Sequence, residues 1–287
     1  MKRILVTGAT GFVGNNLVEK LVEKKYEVVA QGRTVKPWTS DCVKNRLIKI
    51  NFDKRGLNLG KFDIIVNCLS QISSSTNSWK EFSYSNCFIT SSLINNISCR
   101  KFIHLSTCSV FSTNSKYHSQ PDPNNLYGLS KYVSEKLVQI ERGGISKLII
   151  LRFPIIIGRN KQNSDFIKYI IERGTKDKDI NLFANGLYFR NVVHVSEAVR
   201  AIYASITSDD DDINIINIGS SNSLRIIDIC KLLLNKINSK SKIKFVDNNN
   251  VGTDCDSFVD VSNSSLINYN GLTVQDNLDL FLKEFDF

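Results

Sequence analysis

The chain has 287 residues, 42% of them hydrophobic and 23% charged, enough for one large α/β domain or for one such domain carrying a smaller lobe. The formal charge is +9, but its lysines and arginines are spread along the chain without a basic stripe or a known motif, so nucleic-acid binding is not expected. No apolar run approaches the ~20 residues of a membrane helix, no targeting signal leads the N-terminus, and seven irregularly spaced cysteines with three histidines (His104, His118 and His194) suggest reduced thiols and no metal site in a cytoplasmic protein.

In chain order, Lys2–Thr7 reads as a strand and Phe12–Lys24 as a helix with Leu17, Leu21 and Val22 on one face. Strands follow at Tyr26–Gln31, Leu47–Asn51 and Asp63–Cys68. Trp79–Ser98 has a helical pattern, Lys101–Ser106 that of a strand, and Asn125–Ile140 that of a helix. Lys147–Phe153 is a strand rich in Ile and Leu. Near-continuous apolar strands between amphipathic helices predict a Rossmann-type, doubly wound parallel sheet covered on both faces. Residues 1–153 would form this dinucleotide-binding domain, and 154–287 a mixed segment that builds most of a small substrate lobe and returns to the sheet. In that segment Ser164–Arg173, Ser196–Ile206, Leu224–Ile237 and Val274–Phe285 read as helices. Asn181–Val193 reads as short strands around a turn at Asn185-Gly186, and Ile213–Ile218 and Lys242–Val246 as strands. The acidic run Asp209–Asp212 reads as a solvated loop.

The first motif is Gly8-Ala9-Thr10-Gly11-Phe12-Val13-Gly14, set between a predicted strand and a predicted helix. Gly8 allows a tight turn, Gly11 lets the backbone approach a pyrophosphate, and Gly14 lets the helix pack close to the strand. The helix N-terminus then offers amide groups and a positive dipole end to the phosphates. This spacing, with Thr7 before it, resembles the extended short-chain dehydrogenase/reductase family, of the epimerase/dehydratase type. At the end of the second strand Gln31-Gly32-Arg33 offers no carboxylate for a ribose 2′-hydroxyl, while Arg33 suits a 2′-phosphate. NADP(H) is therefore favoured, with NAD(H) as the alternative. Asn51 and Phe52 stand where the family has an acidic residue near the adenine.

The second motif is Tyr127-Gly128-Leu129-Ser130-Lys131, whose Tyr and Lys share one helical face. A lysine ammonium a few ångströms away, together with a positive nicotinamide ring, is expected to lower the tyrosine pKa and fit it for acid–base work. Upstream, Ser106-Thr107-Cys108-Ser109-Val110-Phe111 resembles the family's loop after the fifth strand. The resemblance makes Thr107, Tyr127 and Lys131 catalytic, with Ser106 as the alternative to Thr107 beside the reacting oxygen. It assigns Thr10, Phe12, Val13, Leu69, Ser70 and Phe153 to the cofactor, together with the glycines, Tyr127 and Lys131. It makes Arg190 the contact to a substrate diphosphate, Asn86 a structural support or water relay, and His194 a core anchor. Asn191 departs from the family's aspartate and Ile155 from its asparagine. Cys108-Ser109 replaces the Asp-Glu of 4,6-dehydratases, so elimination of water is not expected.

The resemblance implies an NAD(P)H-dependent reductase of a 4-keto-6-deoxy nucleotide sugar, such as a dTDP-4-keto-6-deoxyhexose, in surface polysaccharide precursor synthesis. A nucleotide-sugar 4-epimerase is the alternative, and a non-catalytic NADP sensor the alternative from another class. By the same resemblance, Trp79–Ser98 and Asn125–Ile140 would form the face of a homodimer.

Overall fold

The apolar runs of the first half become adjacent parallel strands in the computed structural model, which describes residues 1–52, 60–72, 78–111, 120–159, 166–209, 214–246 and 258–285. His118, Cys255, residues 210–212 of the acidic run, and positions 164, 165 and 213 of two predicted elements lie outside the described residues. The strands are β1 (Arg3–Thr7), β2 (Glu27–Gln31), β3 (Leu47–Ile48), β4 (Lys61–Asn67), β5 (Ser98–Thr107), β6 (Lys147–Phe153) and β7 (Ile155–Ile157). They continue with β8 (Ile180–Phe183), β9 (Phe189–Arg190), β10 (Val192–His194), β11 (Asn214–Asn217), β12 (Leu224–Arg225) and β13 (Ile243–Val246). Seven of them form one parallel sheet in the order β11-β6-β5-β4-β1-β2-β3. All seven residues of β6 are buried, as a strand covered on both faces requires.

The helices are α1 (Phe12–Glu23), α2 (Asp41–Lys44), α3 (Trp79–Phe82), α4 (Ile89–Asn96), α5 (Leu126–Ile140), α6 (Phe166–Gly174), α7 (Val195–Thr207), α8 (Ile226–Lys236) and α9 (Val274–Leu282). Side chains alternate across each strand, so Ile4 and Val6 enter one core and Leu5 the other. The first core takes Leu17, Val18 and Leu21 from α1 and Ala198 and Ile202 from α7. The second takes Leu93 and Ile94 from α4 and Val138 from α5. A third core joins α6, α8 and α9 around Ile157, Ile180 and Val192 and forms the smaller lobe. Each fully buried Leu or Ile contributes ~1.5–3 kcal/mol over an exposed one. After Pro154 the chain serves both parts, since α7 packs under the main sheet and β11 pairs with β6.

Four predicted elements are corrected. The helix expected over Trp79–Ser98 is broken by a π-helical turn at Ser83–Phe88 and stops at Asn96, because Ile97 takes extended dihedrals and Ser98 begins β5. The helix expected from Leu224 starts at Ile226, because Leu224–Arg225 pairs antiparallel with Phe189–Arg190. The short strands of 181–193 do not pair with one another but with β13, β12 and β7. The strand expected over Leu47–Asn51 ends at Ile48, and Lys49–Phe52 leaves the sheet to line a cleft.

A polar line crosses this apolar interior. Thr7 Oγ1 donates to Asn67 Oδ1 at 2.8 Å, and Asn67 Nδ2 lies 3.2 Å from His104 Nδ1. His104 Nε2 lies 2.9 Å from Ser134 Oγ, which donates to the Lys131 carbonyl at 2.8 Å. If Asn67 donates, His104 is the neutral Nε2–H tautomer and every group in the line is used. Burial holds the His104 imidazole well below its usual 6.5, and the Lys131 charge adds to this. The unfolded chain takes up a proton here below about pH 6.5 that the folded chain refuses, so this contribution is full above that pH and falls as pH drops. Urea unfolding of His104→Gln should therefore lose less stability than wild type between about pH 7 and pH 5. Equal losses in the two proteins would refute the assignment.

Candidate active site

The turn after β1 shows why glycines are needed. Gly8 has φ +66°, and a Cβ there would stand 2.9 Å from the Cys68 carbonyl carbon and oxygen. A Cβ on Gly14 would meet the Gly8 carbonyl oxygen at 2.3 Å, so α1 begins pressed against the loop. The Gly11 N-cap has no side chain to satisfy the helix, and no acid sits in the first turn. The amide groups of Phe12, Val13 and Gly14 are thus left for an anion, as a pyrophosphate requires. Thr10 is buried, and its side chain lies where a Cβ on Gly32 would fall, at 2.7 and 2.9 Å. The Phe12 ring packs over Gly158.

Beyond the turn lies a cleft of about 330 Å³. Arg33, Lys49, Asn51, Phe52, Leu69 and Ser70 line it, among others. This places the predicted adenosine contacts on one surface. Arg33 and Asn51 are exposed at it, whereas Phe52 is 7% exposed and joins the second core.

The catalytic candidates meet where β4, β5 and α5 converge. Asn125 caps α5 by accepting from the Gly128 amide at 2.8 Å, which sets Tyr127 in the first turn. Ser70 just after β4 and Thr107 at the end of β5 are the hydroxyls that bear on the Tyr127 phenol and oppose the effect of its burial. Thr107 is itself fixed by the Ser109 amide, which donates to its Oγ1 at 3.1 Å. Lys131 follows one turn later, 1% exposed, with no hydrogen-bond partner for its Nζ among the described residues. Burial brings this lysine down to about 8, opposed chiefly by Glu135. An unpaired buried ammonium costs free energy unless a ligand meets it, so the site fits a group with hydroxyl acceptors such as a ribose.

The lysine part of the expected pKa effect is corrected. Burial pushes the Tyr127 phenol up from 10, and the Ser70 and Thr107 hydrogen bonds oppose it. Lys131 bears instead on Cys68, Cys87 and His104. Ser106 is not the alternative to Thr107, because its hydroxyl donates to Glu135 Oε1 at 2.5 Å. Phe153 lies opposite Thr107 in the sheet with its ring in the core.

The π-helical turn turns Asn86 inward. Asn86 Oδ1 accepts from the Gln71 amide at 2.8 Å, and its Nδ2 donates to the Gln71 carbonyl and to Ser130 Oγ. Arg190 is half-buried on β9, and its Nη1 donates to the Phe189 carbonyl. Asn191 donates to the Ser220 and Asn222 carbonyls at 3.0 and 2.9 Å, bonds an aspartate could not make. His194 caps α7 and sits 3.2 Å from Glu284, an anchor as expected. Sequence reasoning missed Glu135 and Arg152, although Glu135 stands four residues after Lys131 and shares its helical face.

Residues 4–219 match the NAD dependent epimerase/dehydratase family. An uncharacterized UDP-glucose epimerase, YtcB of Bacillus subtilis, is 24% identical over 94% of this chain and 93% of its own. The dTDP-D-glucose 4,6-dehydratase of Mus musculus is 25% identical over 84% of this chain and 75% of its own. Among solved structures, a UDP-glucuronic acid 4-epimerase from Bacillus cereus in complex with UDP-glucuronic acid and NAD has a TM-score of 0.81 at 24% identity, covering 98% of each chain. A UDP-glucose 4-epimerase from Thermotoga maritima with UDP-glucose has a TM-score of 0.84 at 20% identity, covering 99% of this chain and 98% of its own. These structures share the fold.

Gly128 couples the two halves of the site. A Cβ there would fall 2.0 Å from the Ser109 carbonyl oxygen. Gly128→Ala must therefore push the start of α5 away from the Thr107 loop, and an ångström-scale misplacement costs ~10²-fold in rate. Turnover should fall by about that factor while the protein still binds dinucleotide through the glycine loop. Wild-type turnover in this variant would show that the contact does not position Tyr127.

Proposed function

The chain belongs to the NAD-dependent epimerase/dehydratase family, and we propose that it is a nucleotide-sugar 4-epimerase. Its relatives YtcB and the solved 4-epimerases support that substrate class over the reductase expected from sequence. The observation that carries the reading is the buried Lys131 ammonium without a partner among the described residues, one turn after Tyr127 on the same helix. A nicotinamide dinucleotide bound along the glycine loop would supply hydride acceptance and return. Tyr127 takes the proton from the sugar C4 hydroxyl and gives one back after the 4-keto sugar has presented its other face. Thr107 and Ser70 hold the reacting oxygen against the phenol. Lys131 is placed for the nicotinamide ribose, and Arg190 is the residue for the diphosphate. The reaction belongs in the cytoplasm, where nucleotide sugars are made, and a homodimer through the faces of 79–96 and α5 is consistent with it.

Tyr127→Phe keeps the ring and removes the proton carrier. Interconversion of UDP-glucose or UDP-glucuronic acid with its C4 epimer should fall ~10²–10⁴-fold, while dinucleotide binding is kept. A wild-type protein that interconverts no nucleotide sugar would sink the epimerase reading.

One observation favours the reductase as a second reading. The Thr10 side chain fills the space beside Gly32, so a side chain there would have to displace it, and exposed Arg33 with Lys49 lines the cleft. That pattern suits a 2′-phosphate and thus exchangeable NADPH. Arg33→Ser should then weaken NADPH binding ~tenfold and leave NADH binding unchanged. Equal effects on both cofactors would remove the basis for this reading.

A further inference from the structure

Behind the site, three elements meet at one buried ion pair. Arg152 of β6 donates from Nε to Glu135 Oε1 at 2.9 Å and from Nη2 to Oε2 at 2.7 Å. Ser106 of β5 donates to the same Oε1 at 2.5 Å. The Glu135 side chain is 0% exposed and that of Arg152 is 9%. On the outer side the guanidinium lies 4.9 Å from the Phe111 ring centroid. Each member adjoins a site residue. Ser106 precedes Thr107, Arg152 precedes Phe153 opposite Thr107 in the sheet, and Glu135 lies one turn beyond Lys131 on α5.

A buried ion pair is a poor way to gain stability, since apolar residues of similar volume commonly do as well or better. Its directional bonds, however, tie α5 to the ends of β5 and β6. From the geometry we infer that Glu135 is a positioning residue for the proposed reaction: through Ser106 and Arg152 it sets Thr107 against Tyr127, from a place one turn beyond Lys131 on the same helical face. This rests on the dinucleotide-dependent reading above.

The surroundings of Lys131 single Glu135 out. The groups facing the lysine are Cys68 from the end of β4, Cys87 from the π-helical turn, His104 from β5 and Glu135 from α5. Tyr127 shares its helix. Burial pushes Cys68 up to about 12 and Cys87 up to about 11, and holds His104 well below 6.5. All three are therefore uncharged near neutral pH, as is the Tyr127 phenol. Arg152 is turned to Glu135, which leaves Glu135 as the negative charge that acts on Lys131.

The test replaces both partners, Glu135→Met with Arg152→Met, so that no charge is stranded. NADH affinity, read by its fluorescence across pH, does not depend on sugar turnover. Loss of the carboxylate should move the alkaline fall in affinity at least ~0.5 pH units lower and cut kcat for epimerisation ~tenfold. A folded double variant with the wild-type pH profile and kcat overturns the inference. Ser106→Ala removes one hydrogen bond and no charge, and should lower kcat about threefold at constant KM. If the double variant does not fold, an unchanged kcat in Ser106→Ala overturns the inference. Wild-type protein that binds no NADH would fail the function reading instead, which separates the two.

Discussion

A parallel sheet delivers the C-terminal ends of all its strands to one edge, and the rest of this structure follows from that constraint. Thr7 and Asn67 end β1 and β4 as register partners, and Thr107 and Phe153 do so at β5 and β6. The edge is where amide groups, hydroxyls and ring faces can converge without the chain crossing itself. It is also where polar groups are carried deep into an apolar body. Each must find a partner, because an unsatisfied buried polar group costs ~1–3 kcal/mol and a stranded charge more. Asn67, His104, Ser134 and Asn86 answer that demand with neutral hydrogen bonds, and Ser106, Glu135 and Arg152 with a charged pair.

Two buried lysines show what happens when the demand is met and when it is not. Lys101 and Lys131 are both nearly inaccessible, and burial brings both down to about 8. Lys101 Nζ donates to the carbonyls of Ser205, Ile206 and Ser208 at 2.8, 3.3 and 2.5 Å, closing the C-terminal end of α7. Its charge is spent on orphan helix carbonyls. Lys131 has no such partner among the described residues. The same side chain in the same kind of environment is structural in one place and waiting for a ligand in the other. Accessibility alone does not separate them, whereas counting partners does.

The sheet and the site were legible to different degrees, for physical reasons. Period-two burial and Gly8, Gly11 and Gly14 carry strand–turn–helix geometry in local sequence, so the fold and the cofactor loop could be read directly. Tyr127 and Lys131 were singled out by their i, i+4 spacing, and Thr107 by the resemblance of the loop after β5 to the family's. Ser106, Glu135 and Arg152 come from three elements, and no local pattern announces that a serine hydroxyl faces a carboxylate 29 residues away. The π-helical turn at Ser83–Phe88 was also hidden, since its extra residue per turn leaves the apolar spacing close to that of an α-helix. The expected lowering of the tyrosine pKa by lysine rested on i, i+4 spacing, which sets a shared helical face but not the distance between the ammonium and the phenol. In this site burial raises the phenol and lowers the ammonium, and the lysine bears on Cys68, Cys87 and His104 and not on the phenol.

The two functional readings share every residue that touches the reacting oxygen, so chemistry at Tyr127 cannot choose between them. An epimerase returns a hydride to the sugar from which it came and gains by keeping its cofactor. A reductase must let the cofactor leave after each turnover. On either reading the distinguishing free energy would lie in the cleft beyond the glycine loop, at Gly32, Arg33 and Lys49, away from α5. There an exposed arginine adds charge attraction that salt screens, and buried donors would add attraction that it does not. The side chains of Arg33 and Asn51 are exposed, so a charge contact with Arg33 would be of the screened kind. The glycine loop and Lys131 are buried or backbone-mediated, and they favour retention. Which end dominates the total binding energy decides whether the same Tyr–Lys–Thr chemistry runs as a closed cycle or as net reduction.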